Sequence, residues 1–220
     1  MAGFQAEPFP VAPCVVPRSS IGGNAILPPE LEVPNCRNCG TKLLLFLQFD
    51  IDKAWSLPLR AGSHLVVFMC AKCNEIPCFD EVPNGQLPTQ FWNITNGHFF
   101  AAMTKPDVMG SAQPADPFLV LKELRFVQMD KEGHTSDTIR VGGHPFWLQY
   151  PERFICCCGS EMAFVSQIAE NFRFEKQTDA PEQPDSFSAN DYCLFLGNEI
   201  YIFACPNQCD PRSVWITVQG

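Results

Sequence analysis

Short apolar runs, each broken by glycine, proline or asparagine, recur along the chain. Their enrichment in valine, isoleucine and phenylalanine predicts β-strands rather than helices. The predicted strands are Lys42 to Phe49, Leu65 to Cys70, Met162 to Ile168, Tyr192 to Leu196, Ile200 to Ala204 and Val214 to Val218. Gly197-Asn198, between two of these runs, predicts a tight hairpin. Pro117 to Met129 fits helical spacing and strand alternation almost equally well, so both structures stay open for it.

Several of these runs belong to a pattern that occurs twice. The first copy reads Gly22-Gly23, Pro29-Glu30, Cys36-x2-Cys39-Gly40 and then a strand followed by Gln48. The second copy reads Gly142-Gly143, Pro151-Glu152, Cys156-Cys157-Cys158-Gly159 and then a strand containing Gln167. Each copy continues to an apolar strand that ends in a second cysteine pair, Cys70-x2-Cys73 or Cys205-x3-Cys209. Such self-similarity predicts an internal duplication.

The repeat divides the chain into four segments. They are a Pro-rich N-terminal arm at 1–18, a first repeat with paired cysteine knuckles at 19–82, an insert at 83–138 and a second repeat with diverged knuckles at 139–220. The predicted fold class is α+β and β-rich, with internally duplicated antiparallel sheets in a two-lobed pseudo-symmetric domain. The arm is expected to be extended or to form a strand laid on the body. The acidic segment Glu175 to Asp191, interrupted by Pro181 and Pro184, is expected to be a solvated loop.

The first set of cysteines has the spacing of a structural zinc site. A C-x2-C turn directs two thiolates toward one point, and two such turns supply four soft ligands to one Zn²⁺. Cys36, Cys39, Cys70 and Cys73 are the predicted ligands. A closed set of four cysteines leaves no coordination position for a substrate, so this site indicates a structural role.

The second set of cysteines is less regular. Its best ligands are Cys156, Cys158, Cys205 and Cys209, with Cys157 as a neighbour. The sequence leaves two alternatives open here, a second Zn²⁺ site or a degenerate copy with packed thiols. Cys14, Cys78 and Cys193 have no evident partners and are expected to be small buried apolar residues.

Charge and cysteine usage limit the compartment and the partners. The formal net charge is -9 and the isoelectric point is about 4.8, which argues against direct nucleic-acid binding and favours a basic partner or plain solubility. The first residues lack the basic start of a signal peptide, and no apolar run is long enough to span a bilayer. We therefore expect a reducing, cytoplasmic location, where paired cysteines more often bind zinc than form disulfides.

The sequence contains no recognisable motif of catalytic residues. His64, His98, His134 and His144 stand in no H-x-x-x-H or H-E pairing. A thiol-dependent hydrolase using Cys157 or His144 remains an alternative, because the partners of a cysteine nucleophile need only meet in space. Gln48 and Gln167 occupy matching places after their strands. Each is expected either to satisfy a buried backbone group or to bind the backbone of a partner peptide.

The repeated run of Gly-Gly, Pro-Glu, Cys-Gly and a strand with glutamine resembles the YwqG-like family of uncharacterised bacterial proteins. It is more distantly similar to the programmed-cell-death-two-like proteins of eukaryotes. The resemblance covers both copies and implies a duplicated β-rich fold with a protein-binding role. Bacterial members look like immunity proteins encoded beside toxins, and the eukaryotic relatives resemble chaperones of a basic ribosomal protein.

These observations lead to one functional hypothesis with two alternatives. The leading hypothesis is a non-enzymatic cytoplasmic immunity protein that contains structural zinc and neutralises a basic toxin, possibly a nuclease. The first alternative is a chaperone for a basic client such as a ribosomal protein. The second alternative is the thiol-dependent hydrolase.

Overall fold

The computed structural model of the protein describes residues 3–11, 16–76, 87, 97–129, 138–183, 186 and 188–220. The described chain is β-rich and contains no α-helix, so the α component of the expected α+β class is not found in these residues. Its helical structure is limited to 3-10 turns at Lys53–Trp55 and Leu194–Gly197. The strands in chain order are β1 Gly3–Pro10, β2 Ser20–Ile21, β3 Asn24–Leu27, β4 Leu44–Asp50, β5 His64–Met69, β6 Phe99–Thr104, β7 Ser111–Pro114, β8 Lys122–Gln128, β9 Ile139–Gly142, β10 Ala163–Ile168, β11 Phe174–Glu175, β12 Asp191–Tyr192, β13 Glu199–Ala204 and β14 Val214–Gln219.

Ten of these strands form a single antiparallel sheet. Its order is β14-β13-β10-β9-β1-β8-β2-β4-β5-β6. The four strands on one side (β2, β4, β5, β6) occur in the same chain order as the four on the other (β9, β10, β13, β14). Between these groups lie β1 and β8. The register is also similar, because Ser20 lies opposite Gln48 and Arg140 lies opposite Gln167.

Both groups contain an irregularity at the same place. The register between β4 and β5 shifts between Leu45 and Leu47, and the register between β10 and β13 shifts between Phe164 and Ser166. Each shift directly precedes the glutamine of its strand. A bulge turns the following side chain to a new direction, and both glutamines are placed toward the segment that follows their Gly-Gly turn.

The N-terminal arm forms the centre of the sheet. Gly3 to Ala6 of β1 pairs with β9 on one side, whereas Phe4 to Pro10 pairs with β8 on the other. Pairing with β9 therefore ends before Pro8 and Pro10. Proline cannot donate a backbone hydrogen bond, so these two residues are tolerated only because one side of the strand is already unpaired there.

The two edges of the sheet approach each other. Residues of β6 contact residues of β14, and the backbone N–H of Met103 donates to the carbonyl of Pro211, 2.7 Å away, in the loop before β14. Gln208 in the same loop donates through its Nε2 to the hydroxyl of Ser63, at 2.8 Å. The sheet is consequently nearly closed, and the loop that follows Cys205 contributes to that closure.

One main core is shared by the two predicted repeats. Phe46 of the first repeat is fully buried and its ring centroid lies 5.2 Å from that of Phe195 in the second. Phe99 stacks on the same Phe195 ring at 5.3 Å. The halves expected as two lobes are thus joined by one sheet and one apolar core. A smaller apolar cluster lies around β3 and the first cysteine site, with Leu27, Leu43 and Leu45 among its members.

Two segments differ from the sequence-based expectations, and a third resolves an open alternative. The predicted strand Tyr192 to Leu196 and its hairpin are wrong, because β12 ends at Tyr192 and a 3-10 turn follows. There Phe195 and Leu196 both have φ of 54°, so the chain folds around the buried Phe195 ring instead of extending. Pro117 to Met129 takes its strand alternative as β8. The predicted insert contributes β6, β7 and β8 to the body, and its remaining residues lie partly outside the described part of the chain.

Candidate metal centres

The first cysteine cluster brings together the sulfur atoms of Cys36, Cys39, Cys70 and Cys73, all within 4.8 Å of one another. The Sγ atoms of Cys36 and Cys73 are 3.7 Å apart, and those of Cys39 and Cys70 are 3.5 Å apart. A tetrahedral site with metal–sulfur bonds of about 2.3 Å has sulfurs about 3.8 Å apart. The spacing of these four thiols therefore fits one tetrahedral cation.

Local backbone turns place these thiols. The carbonyl of Cys36 accepts from the N–H of Gly40 at 2.8 Å, and the carbonyl of Cys70 accepts from the N–H of Asn74 at 3.0 Å. Gly40 has φ of 72°, and a Cβ there would meet no atom within 4 Å. The turn therefore needs glycine for its backbone conformation and not for space. Asn74 adopts a similar conformation, with φ of 45°.

Neighbouring side chains lie within hydrogen-bond distance of the sulfurs of this first site. Nδ1 of His98 lies 3.5 Å from Sγ of Cys36, and Nδ2 of Asn38 donates to Sγ of Cys73 at 3.4 Å. His98 is buried and directly precedes β6. Such donors orient metal-bound thiolates and reduce their excess negative charge. Sequence analysis missed His98, since nothing in the sequence relates it to Cys36.

The second cluster contains Cys156, Cys158, Cys205 and Cys209, also within 4.8 Å of one another. The Sγ atoms of Cys156 and Cys209 are 3.4 Å apart, and those of Cys158 and Cys205 are 3.6 Å apart. Both turns of the first site have two residues between their cysteines. In the second site, one residue separates Cys156 from Cys158, and three residues separate Cys205 from Cys209. These two differences compensate each other, so the irregular spacing still gives four converging thiols.

The second site has its own neighbouring donors. The hydroxyl of Ser213 lies 3.2 Å from Sγ of Cys209, and Nδ2 of Asn207 lies 3.9 Å from Sγ of Cys158. Cys158 and Cys209 are exposed, whereas none of the four cysteines of the first site is. The second cluster is therefore the more accessible of the two to solvent and small reagents.

The thiols within each cluster differ in acidity. Burial raises the pKa of Cys39, but hydrogen bonds from Thr41 and from neighbouring cysteines outweigh burial. The net pKa of Cys39 is lowered to about 6. Hydrogen bonds from Ser160 likewise lower the pKa of Cys158 to about 6. Burial raises the pKa of Cys70 and of Cys156. Each site thus combines an easily ionised thiol with one that needs a cation to offset the cost of its buried charge.

The remaining cysteines do not form a third cluster among the described residues. Cys193 is buried, as expected, while Cys14 and Cys78 lie outside the described residues. No disulfide is found in the described part of the chain. Cys157 is exposed, and its Sγ lies 3.8 Å from that of Cys156.

The two predicted glutamines bind backbone of this same chain. Oε1 of Gln48 accepts from the N–H of Ile26 at 3.0 Å, and its Nε2 donates to the carbonyl of Asn24 at 3.0 Å. Gln167 contacts both the N–H and the carbonyl of Phe146, at 2.8 and 2.9 Å. Both amides are buried, which agrees with the structural alternative of the prediction. Binding of a partner peptide by either glutamine stays a prediction.

Each glutamine also contacts a residue at the start of the next strand. Nε2 of His64 lies 3.3 Å from Oε1 of Gln48, and Nδ1 of His64 lies 2.8 Å from a carboxylate oxygen of Asp50. In the other four-strand group, Nε2 of Gln167 on β10 donates to the carboxylate of Glu199 at the start of β13. The amides are therefore held from two directions. Gln48 fixes β3 to the sheet, and Gln167 fixes the irregular segment around Phe146.

The two residues of the hydrolase alternative, His144 and Cys157, form no hydrogen bond with each other in the described part of the chain. His144 is exposed.

No protein-family model and no curated protein matches this chain. In the described part of the chain, no helix has both the length and the apolar character needed to cross a bilayer.

Proposed function

We propose that this protein is a non-enzymatic, cytoplasmic protein-binding module that contains two structural zinc sites, and that it acts as an immunity protein which neutralises a basic toxin. The zinc part rests on the donor set. Four thiolates at tetrahedral spacing favour Zn²⁺ over hard cations such as Mg²⁺ or Ca²⁺. Four protein ligands fill the tetrahedron, so neither site offers the open position that a catalytic zinc needs.

The observation that carries the binding part is an acidic surface with clefts along one segment. Clefts of about 240, 280, 340 and 460 Å³ all have walls from residues 171–193. Between 170 and 191 the described acidic residues are Glu170, Glu175, Asp179, Glu182 and Asp191, against the cations Arg173 and Lys176. Excess carboxylates around a cleft attract a basic partner and speed its association.

The cleft of about 460 Å³ shows how such a partner would be bound. Its apolar wall includes Phe118, Pro181 and Tyr192, and its polar wall includes Glu182. It lies beside the first metal centre, since Ala71 and Lys72 between Cys70 and Cys73 also line it. An apolar side chain of the partner fits the aromatic wall, with a neighbouring lysine or arginine beside Glu182.

Charge reversal on this surface tests the proposal. The double variant Asp179→Lys, Glu182→Lys is expected to weaken binding of a purified basic partner, identified first by affinity capture and mass spectrometry in the native host. The matched control is Glu30→Lys, Glu32→Lys, which makes the same change in net charge at two exposed residues elsewhere. Equal binding by both variants, or no association of the purified pair at low and moderate salt, overturns the proposal.

The same experiments separate toxin from ribosomal client. An immunity protein protects cells when it is co-expressed with the captured toxin, and the double variant loses that protection. Repeated recovery of one ribosomal protein, with improved solubility of that protein on co-expression, favours the chaperone alternative instead. The hydrolase alternative has less support, because Cys157 has a cysteine rather than a histidine as its hydrogen-bond neighbour in the described chain.

The proposal includes an internal duplication and the resemblance to the YwqG-like family. Three matched features support the duplication. They are the order of the two four-strand groups, the bulge before each glutamine, and the paired cysteine turns. Gly22, Gly23, Gly142 and Gly143 also share φ between 68° and 82°. These agreements concern backbone geometry at corresponding residues, which unrelated segments would not be expected to share.

A further inference from the structure

The second metal centre has a fifth thiol that its four ligands do not need. Cys157 lies between the ligands Cys156 and Cys158, and its Sγ is 3.8 Å from that of Cys156. At the corresponding place in the first centre stand Arg37 and Asn38. The two centres are therefore alike in ligand set and different in what accompanies the ligands.

Exposure adds a second difference. Cys157 is exposed, and so are the ligands Cys158 and Cys209, whereas the first centre has two buried and two partly buried cysteines. A thiol that solvent can reach is open to hydroperoxides, and its fate depends on whether another thiol is close enough to attack the oxidised sulfur. Cys156 is that close, and it is buried within the cluster.

We propose that Cys157 is an oxidation site that makes the second metal centre, and not the first, sensitive to hydroperoxides. The thiol of Cys157 attacks the peroxide O–O bond, which gives the sulfenic acid of Cys157 and one molecule of alcohol or water. The Cys156 thiolate then attacks that sulfenic sulfur. The S–S bond forms, and the departing hydroxide takes up a proton to become water. Two electrons pass in total from the two sulfurs to the peroxide.

Formation of this disulfide removes one of the four ligands. Three thiolates remain, so the affinity of the second centre for its cation falls. The loop after Cys205 then loses an anchor, and this loop carries the contacts Gln208 to Ser63 and Pro211 to Met103 that join the two edges of the sheet. Oxidation therefore loosens the closure of the sheet while the first centre stays intact.

The reaction is reversible by ordinary thiol chemistry. Adjacent Cα atoms are about 3.8 Å apart across a trans peptide, which is shorter than the usual separation of about 4.4–6.8 Å for a disulfide. A disulfide between Cys156 and Cys157 is consequently strained and open to attack by a dithiol. Reduction returns both thiols, and the four-ligand set is restored.

The test uses the full chain loaded with zinc and treated with a few equivalents of hydrogen peroxide. A chromogenic chelator follows zinc release, and alkylation with peptide mass spectrometry identifies the oxidised residues. We expect one zinc to be released per chain, a disulfide between Cys156 and Cys157, and four unmodified cysteines in the first centre. Dithiothreitol followed by zinc should restore the starting zinc content.

The variant Cys157→Ser separates this route from direct oxidation of the ligands. It should bind two zinc ions and release the second at least about tenfold more slowly under peroxide, because the exposed thiol that reacts first is gone. Cys193→Ser, which removes a buried thiol outside both clusters, should release zinc at the wild-type rate. The proposal is overturned if Cys157→Ser releases zinc as fast as wild type, if both zinc ions leave at equal rates, or if Cys157 oxidises without zinc release.

Discussion

Nδ1 of the buried His98 lies 3.5 Å from Sγ of Cys36, so a histidine outside the cysteine motif contacts the first metal centre. A metal-bound thiolate has no proton to donate. With a cation on Cys36, Nδ1 of His98 would be the donor of this hydrogen bond. Through this bond the strand β6 is coupled to the metal centre.

The substitution His98→Ala should weaken the first centre without removing it. Loss of such a donor typically lowers metal affinity about 10- to 100-fold. Competition with a chelator of known affinity measures the change, and His144→Ala, at an exposed histidine, serves as the control. An unchanged zinc affinity for His98→Ala would show that the contact has no energetic role.

Zinc content should follow the two clusters. Native mass spectrometry is expected to find two zinc ions per chain, and Cys70→Ser or Cys205→Ser should each remove one. Cys193→Ser should retain both, as a buried cysteine outside the clusters. Removal of both ions by a chelator should lower the free energy of unfolding by several kcal/mol, because binding energy at a structural site contributes to folding. A metal-free chain that unfolds at the same temperature would contradict this expectation.

Replacement of the buried Gln48 should be costly. Gln48→Leu leaves the N–H of Ile26 and the carbonyl of Asn24 without their side-chain partner. Unsatisfied buried groups of this kind cost about 1–3 kcal/mol each, so we expect a loss of about 2–6 kcal/mol in urea unfolding. Gln128→Leu, on an exposed part of β8, should change stability by less than about 0.5 kcal/mol.

The carboxyl of Asp116 should make stability depend on pH. Burial raises its pKa to about 6 from 3.8, although the N–H of Phe118 donates to the carboxylate at 3.2 Å. The folded chain thus holds this proton up to about pH 6 while the unfolded chain has already released it. The stability that this group provides is present below pH 3.8 and is lost as the pH rises through 6.

Asp116→Asn should remove that dependence. The amide keeps the acceptor for Phe118 and carries no charge. With allowance for solvent screening of this part-buried group, the variant should be more stable than wild type by about 1–2 kcal/mol at pH 7.5. The advantage should shrink toward pH 5. Thermal unfolding between pH 5 and 8 checks it, with Asp107→Asn at an exposed residue as control. A difference that stays constant over this range would rule out titration of Asp116 as its cause.

The first metal centre was predictable because its geometry is local. A C-x2-C turn converges two thiols by itself, and the strands β4 and β5 pair directly, so Cys36 and Cys70 meet without help from distant segments. Cys156 and Cys158 were predictable for the same reason once β10 and β13 were recognised. His98 was not, because its position depends on how β6 pairs with β5.

Half of the main sheet was predictable from apolar runs, whereas other strands such as β6 and β9 were not predicted. Five of the predicted apolar runs form strands, namely β4, β5, β10, β13 and β14. The run at Tyr192 to Leu196 has the same composition, yet Phe195 turns into the core between Phe46 and Phe99. Tertiary contacts outweighed local preference there. The near closure of the sheet likewise depends on contacts between its two edges, β6 and β14, which are far apart in the sequence.

The central place of β1 has a consequence for synthesis. Gly3–Pro10 is made before its partners β8 and β9, which end at Gln128 and Gly142. At about 5–20 residues per second, the N-terminal strand leaves the ribosome well before those partners are available. Pairing across such a separation also closes a long loop and slows folding. We therefore expect the middle of the sheet to be completed late, after each cysteine-bearing hairpin has formed locally.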